Sequence, residues 1–200
     1  MRWLKFSAAG ETSWGIVEGD KVITVSGDPF GEWQRTPQTH ALSDVKIELP
    51  LIPRTFYCVG LNYLKHLTEA NAMTCVFGYT IGNDVSERTW QKADRGLWRS
   101  KNADTFKPMG PWIETDVDIG GMETVIRVNG KETGRFSTGD MIFGVVPFIV
   151  ELTKYFTLWP GDVIWMGTDG ASPDIRAGDV VEIDITGIGT LRNRFVAEKR

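Results

Sequence analysis

A mainly β fold, a sandwich or roll carrying a few short helices, is what this sequence predicts, and three observations predict it. Short runs of apolar, β-branched and aromatic residues recur along the whole chain, as at residues 3–6, 14–17, 22–25, 76–81 and 124–128. Turn chemistry separates them, with Glu18-Gly19-Asp20, Asn129-Gly130 and Pro160-Gly161-Asp162 as the clearest signals. Helical patterning is confined to a few stretches, so strands outnumber helices.

Taken in order, residues 1–25 alternate apolar runs with turns and read as a small β unit closed by a hairpin at Gly19-Asp20. Residues 26–54 are richer in Pro, Asp and Gln and weakly periodic, which predicts a linker ending near Pro53. The chain therefore divides into a small N-terminal β segment with its linker, residues 1–52, and a main domain, residues 53–200. Buried strands are expected at 55–60 and 76–81, a helical turn at 85–92, and a hairpin of 124–128 with 131–136 around Asn129-Gly130. Ser137-Thr138-Gly139-Asp140 leads into a helix that tolerates Pro147 in its first turn and places Phe148, Leu152 and Phe156 on one face. A strand at 163–166 and two more at 179–185 and 190–196 close a sheet.

Composition narrows the class of partner. Two hundred residues with 42% hydrophobic content suffice for one sizeable core. With 22 Lys plus Arg against 26 Asp plus Glu, the net charge of -4 argues against a nucleic-acid or anionic-membrane surface, which needs a basic patch. The N-terminus lacks the apolar core of a signal peptide. The longest apolar run, residues 141–150, is too short to span a bilayer and contains Gly144 and Pro147. Cys58 and Cys75, each among apolar neighbours, read as buried free thiols of a reducing compartment, with the cytoplasm as the default.

The chemistry concentrates in residues 76–112. Asp84, Arg88 and Gln91 are spaced by four and three, so a helical turn aims an acid, a cation and an amide at one spot. Asp84 with Glu87 equally fits a capping box at a helix start. Lys101 follows, ahead of the loop Phe106-Lys107-Pro108-Met109-Gly110-Pro111-Trp112, whose prolines and glycine restrict its shape. Upstream, His66 and Glu69 are three apart, the spacing at which a carboxylate orients an imidazole as a general base; a surface histidine beside a helix glutamate is the plainer alternative. Downstream, Gly167-Thr168-Asp169-Gly170 is either a plain turn or a place where the Thr168 hydroxyl and nearby amides meet a carboxylate.

The blocks GYTIGNDVSERTWQ, SKNADTFKPMGPWIET, CVGLNYLKHLTEAN and RVNGKETGRFSTGDMIFGVVPFIVELTKYFTLWPGDVIWMGT together resemble the fumarylacetoacetate hydrolase family, over most of the chain. The resemblance implies that family's mixed β-sandwich roll, usually a homodimer, and action on 2-oxo acids and 1,3-dicarbonyl compounds. It implies His66 with Glu69 as the water-activating pair and Asp84 as a metal ligand. It further implies Lys101 as the catalytic cation and Arg88, Gln91 and Thr168 as substrate-binding residues, with Asp169 where a proline is usual. In relatives a long insert precedes the GYT strand and carries a Glu-x-Glu pair of metal ligands; this chain runs from HLTEAN straight into AMTCVFGYT and contains no Glu-x-Glu. Glu114, Asp116 and Asp118 alternate but read as solvated acids rather than replacements.

The expectation is thus a metal-dependent hydrolase that cleaves a carbon–carbon bond in acylpyruvate-like or fumarylacetoacetate-like 2-oxo acids. Magnesium, or manganese or calcium, would be its ion if the ligand segment belongs to the protein. The alternatives are an isomerase of the 2-hydroxyhepta-2,4-diene-1,7-dioate type, a decarboxylase or dehydratase of related acids, or a non-catalytic member that has lost its metal pair.

Overall fold

The computed structural model describes residues 1–52, 56–57, 67–170 and 172–198. Its first three strands, β1 (Arg2–Ala8), β2 (Glu11–Glu18) and β3 (Lys21–Gly27), form the antiparallel meander expected from the alternation. A two-residue turn joins β2 to β3, with Gly19 at φ +62°, where glycine carries no steric penalty.

The expected linker is largely strand. Residues Trp33–Ala41 form β4, paired to β3 at the edge of the sheet, and Lys46–Ile47 form β5, paired to β1. Most of β4 faces solvent, so its sequence is polar and lacks an apolar alternation. It also holds Pro37, which has no N–H to offer a ladder and sits where the pairing register shifts, a position open to proline at a sheet edge.

Beyond β5 come β6 (Phe56–Tyr57), β7 (Tyr79–Gly82) and β8 (Met109–Glu114). The second hairpin is β9 (Glu123–Val128) with β10 (Lys131–Ser137), turning at Asn129 (φ +53°) and Gly130 (φ +78°) as expected for Asn-Gly. The C-terminal strands are β11 (Val163–Ile164), β12 (Val180–Ile185) and β13 (Gly189–Arg194). Three short helices complete the described chain: α1 (Arg88–Gln91), α2 (Trp98–Asn102) and α3 (Val145–Thr153). The protein is mainly β.

The larger sheet runs β4-β3-β2-β1-β8-β7, with β5 beside β1; a second runs β10-β9-β12-β13, and β11 pairs with β6 in parallel. Both faces of the β1–β3 region are covered. Trp3, Ile16 and Val25 pack with Leu51 and Ile113 on one face, while Leu4, Phe6, Val17 and Val22 pack together on the other. Gly15, opposite Leu4, leaves the room that Phe6 and Val22 fill; a Cβ there would lie 2.4 Å from Val22 Cγ1. At the far end, Ile81 of β7 packs against Val181, Ile183 and Leu191, which joins the two sheets.

Several boundaries differ from expectation. Residues 72–75 form a 3-10 turn, so the strand expected from 76 begins at Tyr79. The helix expected after Asp140 begins at Val145, capped by Gly144, and its buried residues are Ile149, Leu152 and Thr153. Cys75 is exposed rather than buried; Cys58 lies outside the described residues.

Glu114 overturns its reading as a solvated acid. It is 5% exposed at the end of β8. Its Oε1 accepts from the Met1 ammonium at 3.1 Å and from the N–H groups of Thr115 and Asp116, and its Oε2 accepts from Arg2 Nε at 3.0 Å. Burial alone would raise its pKa, but the hydrogen bonds from the ammonium, the Asp116 N–H and Arg2 outweigh it and hold the carboxyl below the usual range. A carboxyl lowered in the folded state contributes stability fully present above its unfolded pKa, about 4.3, and lost as pH falls through the folded value. Glu114→Gln is therefore expected to lower stability at neutral pH and to flatten its decline below about pH 4. Urea unfolding across that range checks it, and an acid decline as steep as the parent's would rule the pairing out as its source.

Candidate functional site

The site is built at the end of β7. Gly78, just before that strand, is required by close approach: a Cβ there would sit 2.7 Å from the Glu114 carbonyl oxygen and 2.7 Å from Ile113 Cγ2. The ladder between β7 and β8 shifts register between Tyr79 and Ile81, and a last hydrogen bond from Asn83 N–H to the Pro108 carbonyl at 3.0 Å fixes where β7 ends. Asp84 leaves the sheet directly after it.

The helix cap expected of Asp84 belongs to Glu87. Its carboxylate accepts from the Thr89 N–H at 2.9 Å and the Thr89 hydroxyl at 2.6 Å, and α1 begins at Arg88. Those contacts, the Thr89 hydroxyl first, hold the Glu87 carboxyl below its ordinary range. Relieved of capping, the Asp84 carboxylate meets the ammonium of Lys101 in an ion pair; the side chains are 28% and 20% exposed. Lys101 is brought there by α2. Ser100, fully buried beside it, donates its N–H to Asp94 Oδ2 at 2.8 Å and accepts the Glu87 N–H at 2.9 Å, tying α2 to the start of α1. Arg99 adds a stacking contact over Trp90, 4.8 Å from the ring centre.

Arg88 and Gln91 share one face of α1, as the spacing predicts, and Arg88 Nη1 donates to Gln91 Oε1 at 2.7 Å. Thr168 is exposed, its hydroxyl directed to the Asp169 carbonyl at 3.4 Å, and no described bond joins it to Asp84 or Lys101. The two regions nonetheless abut through Trp165, just past β11. Its ring packs so closely on Gly82 that a Cβ there would lie 3.0 Å from it, and the Lys107 ammonium stands 4.7 Å from its centre. Glu69 is exposed on a turn, and His66 lies outside the described residues.

Sequence reasoning missed Ser100, Asp94, Trp165 and Lys107. Only Lys107 carried a local signal, its place in the proline-flanked loop before β8. A cavity of about 400 Å³ between residues 73–79 and 115–120, with Phe77, Tyr79 and Asp118 in its wall, is a separate feature, for Asp84, Arg88, Gln91, Lys101 and Thr168 do not line it.

The described donors do not fit a hard divalent ion. Such an ion takes six or more oxygen ligands. Among the described residues no three His, Cys, Asp or Glu side chains come together, and the site's carboxylate, Asp84, is already paired with Lys101.

Residues 57–196 match the family described as fumarylacetoacetate (FAA) hydrolase C-terminal, and residues 1–50 match the family described as Rv2993c-like, N-terminal. A Mycobacterium tuberculosis protein is 31% identical over 229 aligned positions that take in 86% of this chain and 86% of its own. A 2,4-didehydro-3-deoxy-L-rhamnonate hydrolase from Sphingomonas sp. is 37% identical over 88% of this chain. The chain spans 59% of that hydrolase and 63% of a Methanocaldococcus jannaschii relative that is 41% identical over 78% of this chain. Among solved structures, a 2-hydroxyhepta-2,4-diene-1,7-dioate isomerase from Mycobacterium marinum superposes with a TM-score of 0.92 at 30% identity, over the full length of both chains.

Proposed function

Because the chain belongs to the fumarylacetoacetate hydrolase family, we propose that it hydrolyses a carbon–carbon bond in a small acylpyruvate-like or fumarylacetoacetate-like 2-oxo acid. The observation that carries this reading is the Asp84–Lys101 ion pair at the end of β7, with Arg88 held by Gln91 on α1, whose start is tied to α2 through Ser100. In such a cleavage water adds to the distal carbonyl, the adjoining carbon–carbon bond breaks, and its electron pair becomes an enolate of the 2-oxo acid, which is then protonated. Charge develops on the enolate oxygen. Lys101 is the group to meet it, since its ammonium has three donors and Asp84 engages one. The planar fork of Arg88 suits the substrate carboxylate, with Gln91 fixing its orientation. Thr168 is assigned to a second carboxylate or carbonyl, and His66 with Glu69 to activating the water.

A magnesium, manganese or calcium ion would supply Lewis-acid polarisation of both substrate oxygens. The described donor set does not provide for it, and none of the steps above runs through it. Catalysis is assigned to residues 53–200, with 1–52 as the small β segment. A cytoplasmic homodimer with a small-molecule substrate, and without nucleic-acid or membrane partners, completes the proposal. Among the described residues no helix is long and apolar enough to cross a membrane.

The superposition on the Mycobacterium marinum isomerase favours a second reading, in which the same enolate is reprotonated at another carbon and no water adds. A panel of acylpyruvates and 2-hydroxydienoates separates the two. Release of pyruvate is expected; an absorbance change without fragments would make the protein an isomerase. No turnover of any member would leave a non-catalytic binder.

A further inference from the structure

We infer that Lys101 supplies the positive charge that a divalent ion would otherwise place against Asp84, so that the site binds a small 2-oxo carboxylate without metal. This rests on the site proposed above and extends it to the charge that the site uses.

Two observations carry it. The ion pair is built into the fold rather than formed by a loose surface lysine. Asp84 follows the last β7–β8 hydrogen bond, with Ser86 Oγ donating to its carbonyl at 3.2 Å, while Lys101 adjoins the fully buried Ser100. Second, the supply of carboxylates is exhausted. The residues outside the description, 53–55, 58–66, 171 and 199–200, include no Asp or Glu, so every carboxylate side chain of this chain is among the described residues. Among the described residues no three His, Cys, Asp or Glu side chains form a group that could hold a metal ion.

A lone carboxylate of charge -1 cannot offer a magnesium-like ion the oxygen shell it demands. It does match one ammonium, which neutralises it with a single charge-assisted bond and keeps two N–H donors for a ligand. Arg88, paired among the described residues with the neutral Gln91, then adds a positive charge suited to a carboxylate.

Oxalate, a planar mimic of a 2-oxo acid enolate, is the probe, titrated calorimetrically into the full-length protein with chelator or with manganese(II). Free manganese is followed by its paramagnetic resonance signal. The expected result is oxalate affinity equal in both conditions and no bound manganese. Lys101→Met is expected to weaken oxalate about tenfold or more, the loss of a hydrogen bond to a charged group. Lys101→Arg, which keeps the charge, should retain most of the binding, and urea unfolding of Lys101→Met, with a cooperative transition expected, shows that the weak variant has not merely unfolded. Asp84→Asn frees the ammonium and is expected to strengthen oxalate binding, whereas a metal site predicts that it abolishes it.

Manganese binding that disappears in Asp84→Asn, or oxalate binding seen only with manganese, overturns the inference. Absence of oxalate binding in both conditions overturns it as well. Oxalate that binds as expected while no 2-oxo acid is turned over sinks the proposed reaction and leaves the inference standing.

Discussion

Lys101→Met is expected to lower turnover of the best 2-oxo acid substrate by about 10²- to 10³-fold, the usual cost of removing one donor aimed at a developing oxyanion. The effect should fall mainly on kcat, because the charge that Lys101 meets is larger in the transition state than in the bound substrate. A structural cost accompanies it. Asp84, only 28% exposed, would lose its ion-pair partner, so some stability should go with the activity. The double variant Asp84→Asn with Lys101→Met separates the two effects: stability should largely return while turnover stays low. Steady-state kinetics alongside urea unfolding on the three variants makes the check. A Lys101→Met protein with near-parental kcat would remove Lys101 from the chemistry.

The second large effect lies far from the charged group. Trp3→Ala is expected to destabilise the protein by about 3–5 kcal/mol, the range for deleting a buried aromatic side chain. Trp3 is 2% exposed on the central strand β1, directly across from Ile16. Its ring meets Trp33 of the edge strand β4 edge-on, centres 4.9 Å apart, and lies 6.2 Å from Phe77. One side chain thus ties the sheet edge to the segment that enters β7, and a cavity there frees both. The urea midpoint should fall with the slope unchanged. A loss under about 1 kcal/mol would mean that the neighbours collapse into the space.

Legibility in the sequence followed the locality of the physics. The β2–β3 turn and the Asn129-Gly130 hairpin were readable because Gly19, Asn129 and Gly130 adopt the positive φ that such turns demand, a property of a dipeptide. The segment Trp33–Ala41 was not, because an exposed edge strand has little apolar face to display and is held by pairing to β3. Asp84 shows the same limit at the candidate site. Its spacing to Glu87 fits a capping box, but β7 stops at the Asn83–Pro108 hydrogen bond, Glu87 takes the cap, and Lys101, seventeen residues on, takes the carboxylate.

By itself, then, the sequence determined the class of fold, the family, and the residue types able to meet a 2-oxo acid, since periodicity, turn chemistry and long ordered blocks are written in neighbouring positions. Only the tertiary structure decided which of those residues meet. It buried Glu114 against Arg2 and the chain's own ammonium, set Trp165 on Gly82, and gave Asp84 a lysine for a partner. Contacts between residues far apart in the chain depend on how β1, β7 and β8 share one sheet, and no local pattern encodes that arrangement.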